Sequence, residues 1–154
     1  MELFKEVKQD KPRERDDIDQ LKADVTVSRE IHIIKGLLRF SPDMDGVYIA
    51  RCAPCHFILP ALAEHFTQRF GEAPWVIIDE RRNICLCREK GGETRLIDLP
   101  ASLVSGDKDR KDAWQELWCL YHKSINNEAR SNPRLQQQLI PKRYHKYLCE
   151  MNNL

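Results

Sequence analysis

The chain reads as an α+β protein built on a mainly antiparallel sheet of about five strands, with one helix packed on it and C-terminal helices closing the core. Three observations predict this. Trp75–Asp79, Ile84–Arg88 and Thr94–Leu99 are short apolar or β-branched runs separated by the turn segments Glu80–Asn83 and Lys90–Glu93. Such spacing makes an antiparallel meander. Between Ala53 and Phe70 the apolar residues Ile58, Leu62, Phe66 and Phe70 recur at helical spacing. From Ala113 onward the pattern is helical to the end. Hairpins outnumber crossover units, which is the α+β pattern.

The elements follow in order. Residues 1–24 are a charged lead-in, partly helical, in which Pro12 interrupts an apolar stripe and Arg13-Glu14-Arg15-Asp16-Asp17 reads as a solvated face. Residues 25–151 form one α+β domain. Val25 to Phe40 is rich in β-branched residues and predicts a long strand, with a helix over Ser28–Lys35 as the alternative. Ser41-Pro42-Asp43-Met44-Asp45-Gly46 is a turn sequence. Leu37–Phe40 and Val47–Ala50 would then pair as a hairpin. Gly71 is placed to cap the helix that ends at Phe70. Trp75–Asp79 is nearly all apolar and predicts a central, buried strand. Asp109 is a candidate N-cap for the helix carrying Trp114, Leu117, Trp118, Leu120 and Tyr121, which is expected to pin itself to the core. Pro133 and Pro141 each open a further helix.

At 154 residues the chain can bury a core without staples. Its longest apolar runs fall well below the ~20 residues of a membrane-crossing helix, and the first residues carry no apolar signal core. These features predict a cytoplasmic chain, not associated with membrane, whose six cysteines stay reduced. The net charge of +1 leaves nucleic-acid binding to the distribution of charge.

Cys52-Ala53-Pro54-Cys55-His56 is the most conspicuous short motif. It has the spacing of a haem attachment site, a redox dithiol or half of a zinc site. Zinc would need Cys85 and Cys87 as the second pair, beside Cys52 and Cys55. The reading preferred here is four small, buried or half-buried thiols, with no metal and no cofactor. His65 with Arg69 one turn later reads as a polar helix face. An enzyme would need His65, Asp79 and a cysteine gathered in one pocket. No phosphate-binding glycine loop, nucleophile elbow or repeated acidic pair is present, so no reaction and no catalytic residue can be named.

The strongest signal is basic. Lys123, Arg130, Arg134, Lys142, Arg143 and Lys146 fall within one segment, with Tyr144, His145 and Tyr147 interleaved. Cations of this kind neutralise phosphates, and aromatic rings stack on unpaired bases. The predicted nucleic-acid contacts are therefore Lys123, Arg130, Arg134, Lys142, Arg143, Tyr144, Lys146 and Tyr147. Arg39, Arg81 and Arg82 would extend the patch if the sheet brought them near. Alternatively they pair with carboxylates inside the fold, as Arg39 with Asp79.

Several motifs together carry a family resemblance: Gly36-Leu37-Leu38-Arg39-Phe40, His65-Phe66-Thr67-Gln68-Arg69-Phe70, Pro74-Trp75-Val76-Ile77, Trp114-Gln115-Glu116-Leu117-Trp118, Asn132-Pro133-Arg134-Leu135-Gln136 and Pro141-Lys142-Arg143-Tyr144. From Val25 to Met151 the chain resembles the bacterial "probable DNA metabolism protein" family, whose defining domain has no assigned function. Family members usually carry a longer N-terminal region. They more often have tryptophan where this chain has His145. The resemblance implies a context in DNA repair or modification. Such domains are similar to an extension fused to some uracil-DNA glycosylases, and stand-alone members are encoded beside a radical-SAM protein. The expected role is an accessory DNA-binding module acting with one of those partners. The alternatives are a protein-interaction subunit without DNA contact, or an uncharacterised enzyme.

Overall fold

A computed structural model of the chain describes residues 12–104 and 113–151. Helix α1 (Pro12–Leu37) leads into β1 (Ser41–Pro42) and β2 (Tyr48–Cys52), and α2 (Leu59–Phe70) crosses to β3 (Trp75–Asp79). Strands β4 (Ile84–Arg88) and β5 (Thr94–Asp98) complete the sheet. Helices α3 (Ala101–Val104), α4 (Ala113–Ile125) and α5 (Pro133–Leu139) follow, with 3-10 turns at Glu128–Arg130 and Lys142–Tyr147. Spatial strand order equals chain order. All neighbours are antiparallel except β2 and β3, which run parallel because α2 carries the chain back between them. The fold is the expected α+β one.

The strand expected over Val25–Phe40 is instead the second half of α1, which runs unbroken across residue 24. The cause is tertiary. Glu30, Ile34 and Leu38 are buried while His32 and Gly36 between them are exposed; a helix separates these two sets, whereas a strand would put all five on one face. Packing on α2 and the sheet outweighs the β preference of Val25, Val27, Ile31 and Ile33. Pro12 is the first described residue of this helix, and the apolar stripe it was expected to interrupt lies outside the described residues. Because the helix consumes Leu37, the hairpin shifts: Ser41 and Pro42, expected in the turn, pair with Ile49 and Tyr48. Asp43–Gly46 closes the turn, with the Gly46 amide donating to Asp43 O at 3.0 Å. Pro42 is tolerated because β1 is an edge strand.

Helix α2 starts at Leu59, later than its periodicity predicts, since Pro60 belongs in a first turn. It buries Leu59, Leu62 and Phe66 against the sheet. Gly71 ends it with φ 59°, its amide donating to Thr67 O, the left-handed end that favours glycine. The β3–β4–β5 meander stands as expected, with β3 central and largely buried. The core gathers Ile34, Leu38, Ala50, Leu62, Phe66, Trp75, Ile77, Leu86 and Tyr144.

The C-terminal helices close the core through Tyr144 and Leu148, both buried. Pro141 opens a 3-10 helix rather than an α-helix. Asn132 caps α5, its side chain accepting the Leu135 amide at 3.1 Å. Trp118 and Tyr121 do not pin helix α4 to the core, being 43% and 51% exposed. Its contacts with the body include Gln115, which donates to Ser41 Oγ at 2.6 Å, and the Cys149 thiol at Gln115 O. The Trp114 side chain and Asp109 lie outside the described residues. Arg39 pairs with Glu150 at 2.8 Å, not with Asp79.

Replacing Phe66 with alanine removes a fully buried ring between helix and sheet. It should lower stability by about 3–5 kcal/mol in urea unfolding. Phe57→Ala, on an exposed ring, should stay within about 0.5 kcal/mol of the parent.

Candidate functional site

Strands β2 and β3 run side by side and end together, with Cys52 opposite Asp79. The chain then diverges into the segments 53–58 and 80–83. The space beyond the carboxyl ends of parallel strands is where α/β sheets commonly place ligands. A cavity of about 380 Å³ opens there, lined by Arg51, Ala53, Glu80, Arg81, Asn83, Leu99 and Lys146.

Two buried carboxylates shape its surroundings. Asp79 is fully buried. Its Oδ1 accepts the amides of Arg81 and Arg82, at 2.9 and 3.2 Å, and its Oδ2 accepts the Arg82 guanidinium at 2.9 Å. Arg82 also donates to Pro54 O at 3.1 Å and Cys55 O at 2.7 Å. It is therefore committed to holding the 53–58 segment against the end of β3. The same turn fixes the Arg81 backbone while its side chain stays exposed.

Glu30, from the middle of α1, accepts the Cys55 amide at 2.7 Å, the His56 amide at 2.9 Å and the Tyr144 hydroxyl at 2.7 Å. The His56 ring nitrogen Nδ1 lies 2.6 Å from Oε2. Burial alone would raise the Glu30 pKa. The Tyr144 hydroxyl, the two amides and the His56 ring together overcome burial and bring it down to about 2. Burial, reinforced by this same bond to Glu30, pushes the Tyr144 phenol up to about 12.

Glu80 is the third carboxylate and lies in the cavity lining. It faces Arg51 at 3.6 Å and accepts from Lys146 at 3.2 Å and from the Tyr147 hydroxyl at 2.8 Å. This ties the β3–β4 turn to the C-terminal 3-10 helix. Arg51 donates in addition to Leu103 O at 2.8 Å.

The predicted basic contacts divide accordingly. Lys142, Arg143 and Lys146 are exposed on the 3-10 helix. Arg143 lies 4.8 Å over the Tyr144 ring and Lys146 lies 4.6 Å over that of Tyr147. Lys146 also lines the cavity, and the sheet turn brings Arg81 into the same lining. Lys123, Arg130 and Arg134 are exposed on α4, the following 3-10 turn and α5, outside the lining. Tyr144 is buried, with its hydroxyl on Glu30, so its ring offers no face to a base. Tyr147 is half-buried and held by Glu80. Arg51 is the lining cation that sequence reasoning missed. A lone arginine at the end of a short strand carries no signal until that strand is known to run parallel to the next.

The two cysteine pairs do not meet. Cys52 lies opposite Asp79, and Asp79 opposite Ile84, so these share a sheet face. Cys85 follows Ile84 and points to the other face, as does Cys87. Burial raises the pKa of Cys52, and of Cys85 to about 11, which disfavours the thiolates a zinc ion needs. Among the described residues no cluster of three His, Cys, Asp or Glu side chains could hold a metal ion. His65 packs edge-on against Phe66, and neither it nor any cysteine lines the cavity. No helix among the described residues is long and apolar enough to cross a membrane.

The model of a family described as a domain of unknown function (DUF4130) matches residues 5–150. No curated protein and no solved structure matches the chain.

Glu30→Ala should cost about 3–5 kcal/mol, because buried donors lose their charged acceptor. The sign of the pH effect follows from a folded pKa of about 2 against an ordinary 4.5. The stabilisation is complete above the ordinary value and is lost as pH falls towards 2. Urea midpoints measured from pH 7 down to pH 3 should thus fall less steeply in the variant than in the parent.

Proposed function

The chain belongs to the DUF4130 family, and on that premise we propose that it is an accessory module in DNA repair or modification that grips the phosphate backbone of nucleic acid. One observation carries the reading. Arg51 and Arg81 from the sheet and Lys146 from the C-terminal 3-10 helix line one concavity, with Lys142 and Arg143 exposed on that same short helix. Cations from segments far apart in sequence converge although the whole chain has a net charge of only +1. Convergence is what phosphate contacts require, since each neutralised phosphate releases counterions. Contacts of this kind fix position without reading bases. The module would therefore bind many sequences alike and leave lesion chemistry to its partner. A radical-SAM protein or a uracil-DNA glycosylase is the partner class implied by the family resemblance.

A second reading, a protein-interaction subunit, is favoured by α4. Leu117, Trp118, Leu120, Tyr121 and Ile125 are all exposed on that one helix. Clustered apolar exposure of this kind marks contact surfaces.

Fluorescence anisotropy against a mixed-sequence DNA duplex separates the two. Replacing Arg81, Lys142, Arg143 and Lys146 together with alanine should weaken binding and lower the slope of log K against log salt by about 3.6. If the parent protein binds no DNA at low salt, the first reading fails and the interaction reading stands. For the second reading, Leu120→Asp with Ile125→Asp should reduce association with the radical-SAM protein at least tenfold (about 1.4 kcal/mol) in a titration calorimeter. Unchanged association would remove α4 from the partner surface.

A further inference from the structure

The cavity beyond β2 and β3 holds more positive charge than a continuous backbone calls for. Its lining has three cations, Arg51, Arg81 and Lys146, against the single carboxylate of Glu80, so two positive charges remain. A phosphodiester carries one negative charge. A phosphomonoester carries about −1.5 to −2 at pH 7, with a second pKa near 6, and offers three acceptor oxygens.

The space is large enough for a phosphate group. The concavity is open to solvent and has a volume of about 380 Å³, at the lower end of the range of small-ligand sites. Ala53, Asn83 and Leu99 complete the lining. Asn83 takes φ 53° and its carbonyl accepts the Leu99 amide at 2.9 Å. That bond fastens the end of β5 to the β3–β4 turn, which makes this wall part of the framework.

The donors differ in how firmly they are held. Arg51 is fixed by Leu103 O and Glu80. Lys146 is 60% exposed, meets Glu80 at 3.2 Å and lies over the Tyr147 ring, so its ammonium is held at the cavity while still open to solvent. The Arg81 guanidinium is exposed above a backbone pinned by Asp79, and its planar fork suits bidentate contact with two phosphate oxygens.

We propose that this cavity binds the terminal phosphomonoester of a nucleic-acid strand, with Arg81 and Lys146 on the phosphate oxygens and Arg51 supplying fixed positive charge beside them. The inference rests on the nucleic-acid reading above and narrows it from backbone to strand end.

The test uses the full chain and one short single-stranded DNA in three forms: 5′-phosphorylated, 3′-phosphorylated and with hydroxyl at both ends. In anisotropy titrations at pH 7.5, one phosphorylated form should bind about tenfold tighter than the hydroxyl form, the factor one charge-assisted hydrogen bond supplies. The preference should shrink as pH falls below about 6, where the phosphate takes up its second proton. Arg81→Ala should lower all three affinities and cut the preference to within about twofold, whereas Lys123→Ala should lower all three alike and keep it. Equal binding of the three forms overturns the strand-end inference and leaves backbone binding intact. Absence of binding to any form overturns both. A free nucleoside monophosphate that competes as well as the phosphorylated strand overturns the strand end in favour of a small-ligand pocket.

Discussion

Glu30 keeps its negative charge inside the protein, and three segments of chain have to meet around it. Its own helix supplies the carboxylate, the segment after β2 supplies two amides and a histidine ring, and the C-terminal 3-10 helix supplies the Tyr144 hydroxyl. Removing a carboxylate from water costs several kcal/mol unless its lone pairs are met. Here four hydrogen-bonding groups meet them, so the contact is favourable only when all three segments are in place. Such a contact penalises partly assembled states, in which the carboxylate is buried with its lone pairs unmet.

Asp79 repeats this logic a few residues from the cavity, and together the two carboxylates separate cations that build from cations that face solvent. Arg82 and Arg39 are neighbours of carboxylates and carbonyls and serve the framework. Arg81 and Lys142 have exposed side chains on segments the framework holds still. The sequence offers no means of sorting them, because Arg81 and Arg82 are adjacent and chemically identical. The i to i+3 reach from Asp79 decides which of the two turns inward.

What could be read in advance was local. The β3–β5 meander, the Gly71 cap and the Pro133 restart follow from periodicity and turn chemistry within a few residues of each other. Helix α1 was illegible because its β-branched residues point to a strand, while the deciding contacts of Glu30, Ile34 and Leu38 are made with elements later in the chain. The candidate site was half-legible for the same reason. Lys142, Arg143 and Lys146 announce themselves as a cluster, but Arg51 and Arg81 join Lys146 only through the parallel pairing of β2 with β3. Tyr144 drew notice for the wrong property, since its ring looked like a stacking surface and its hydroxyl is what the fold uses.

The bond from Tyr144 to Glu30 joins residues 114 positions apart, whereas each pairing within the meander closes across a short turn. Chain closure over long separations comes late in folding. Loop closure thus favours assembling the β3–β5 meander before the cavity wall that carries Lys146. On a ribosome the same order holds, since Tyr144 emerges after every strand. The meander can form first and wait with its crevice open on one side.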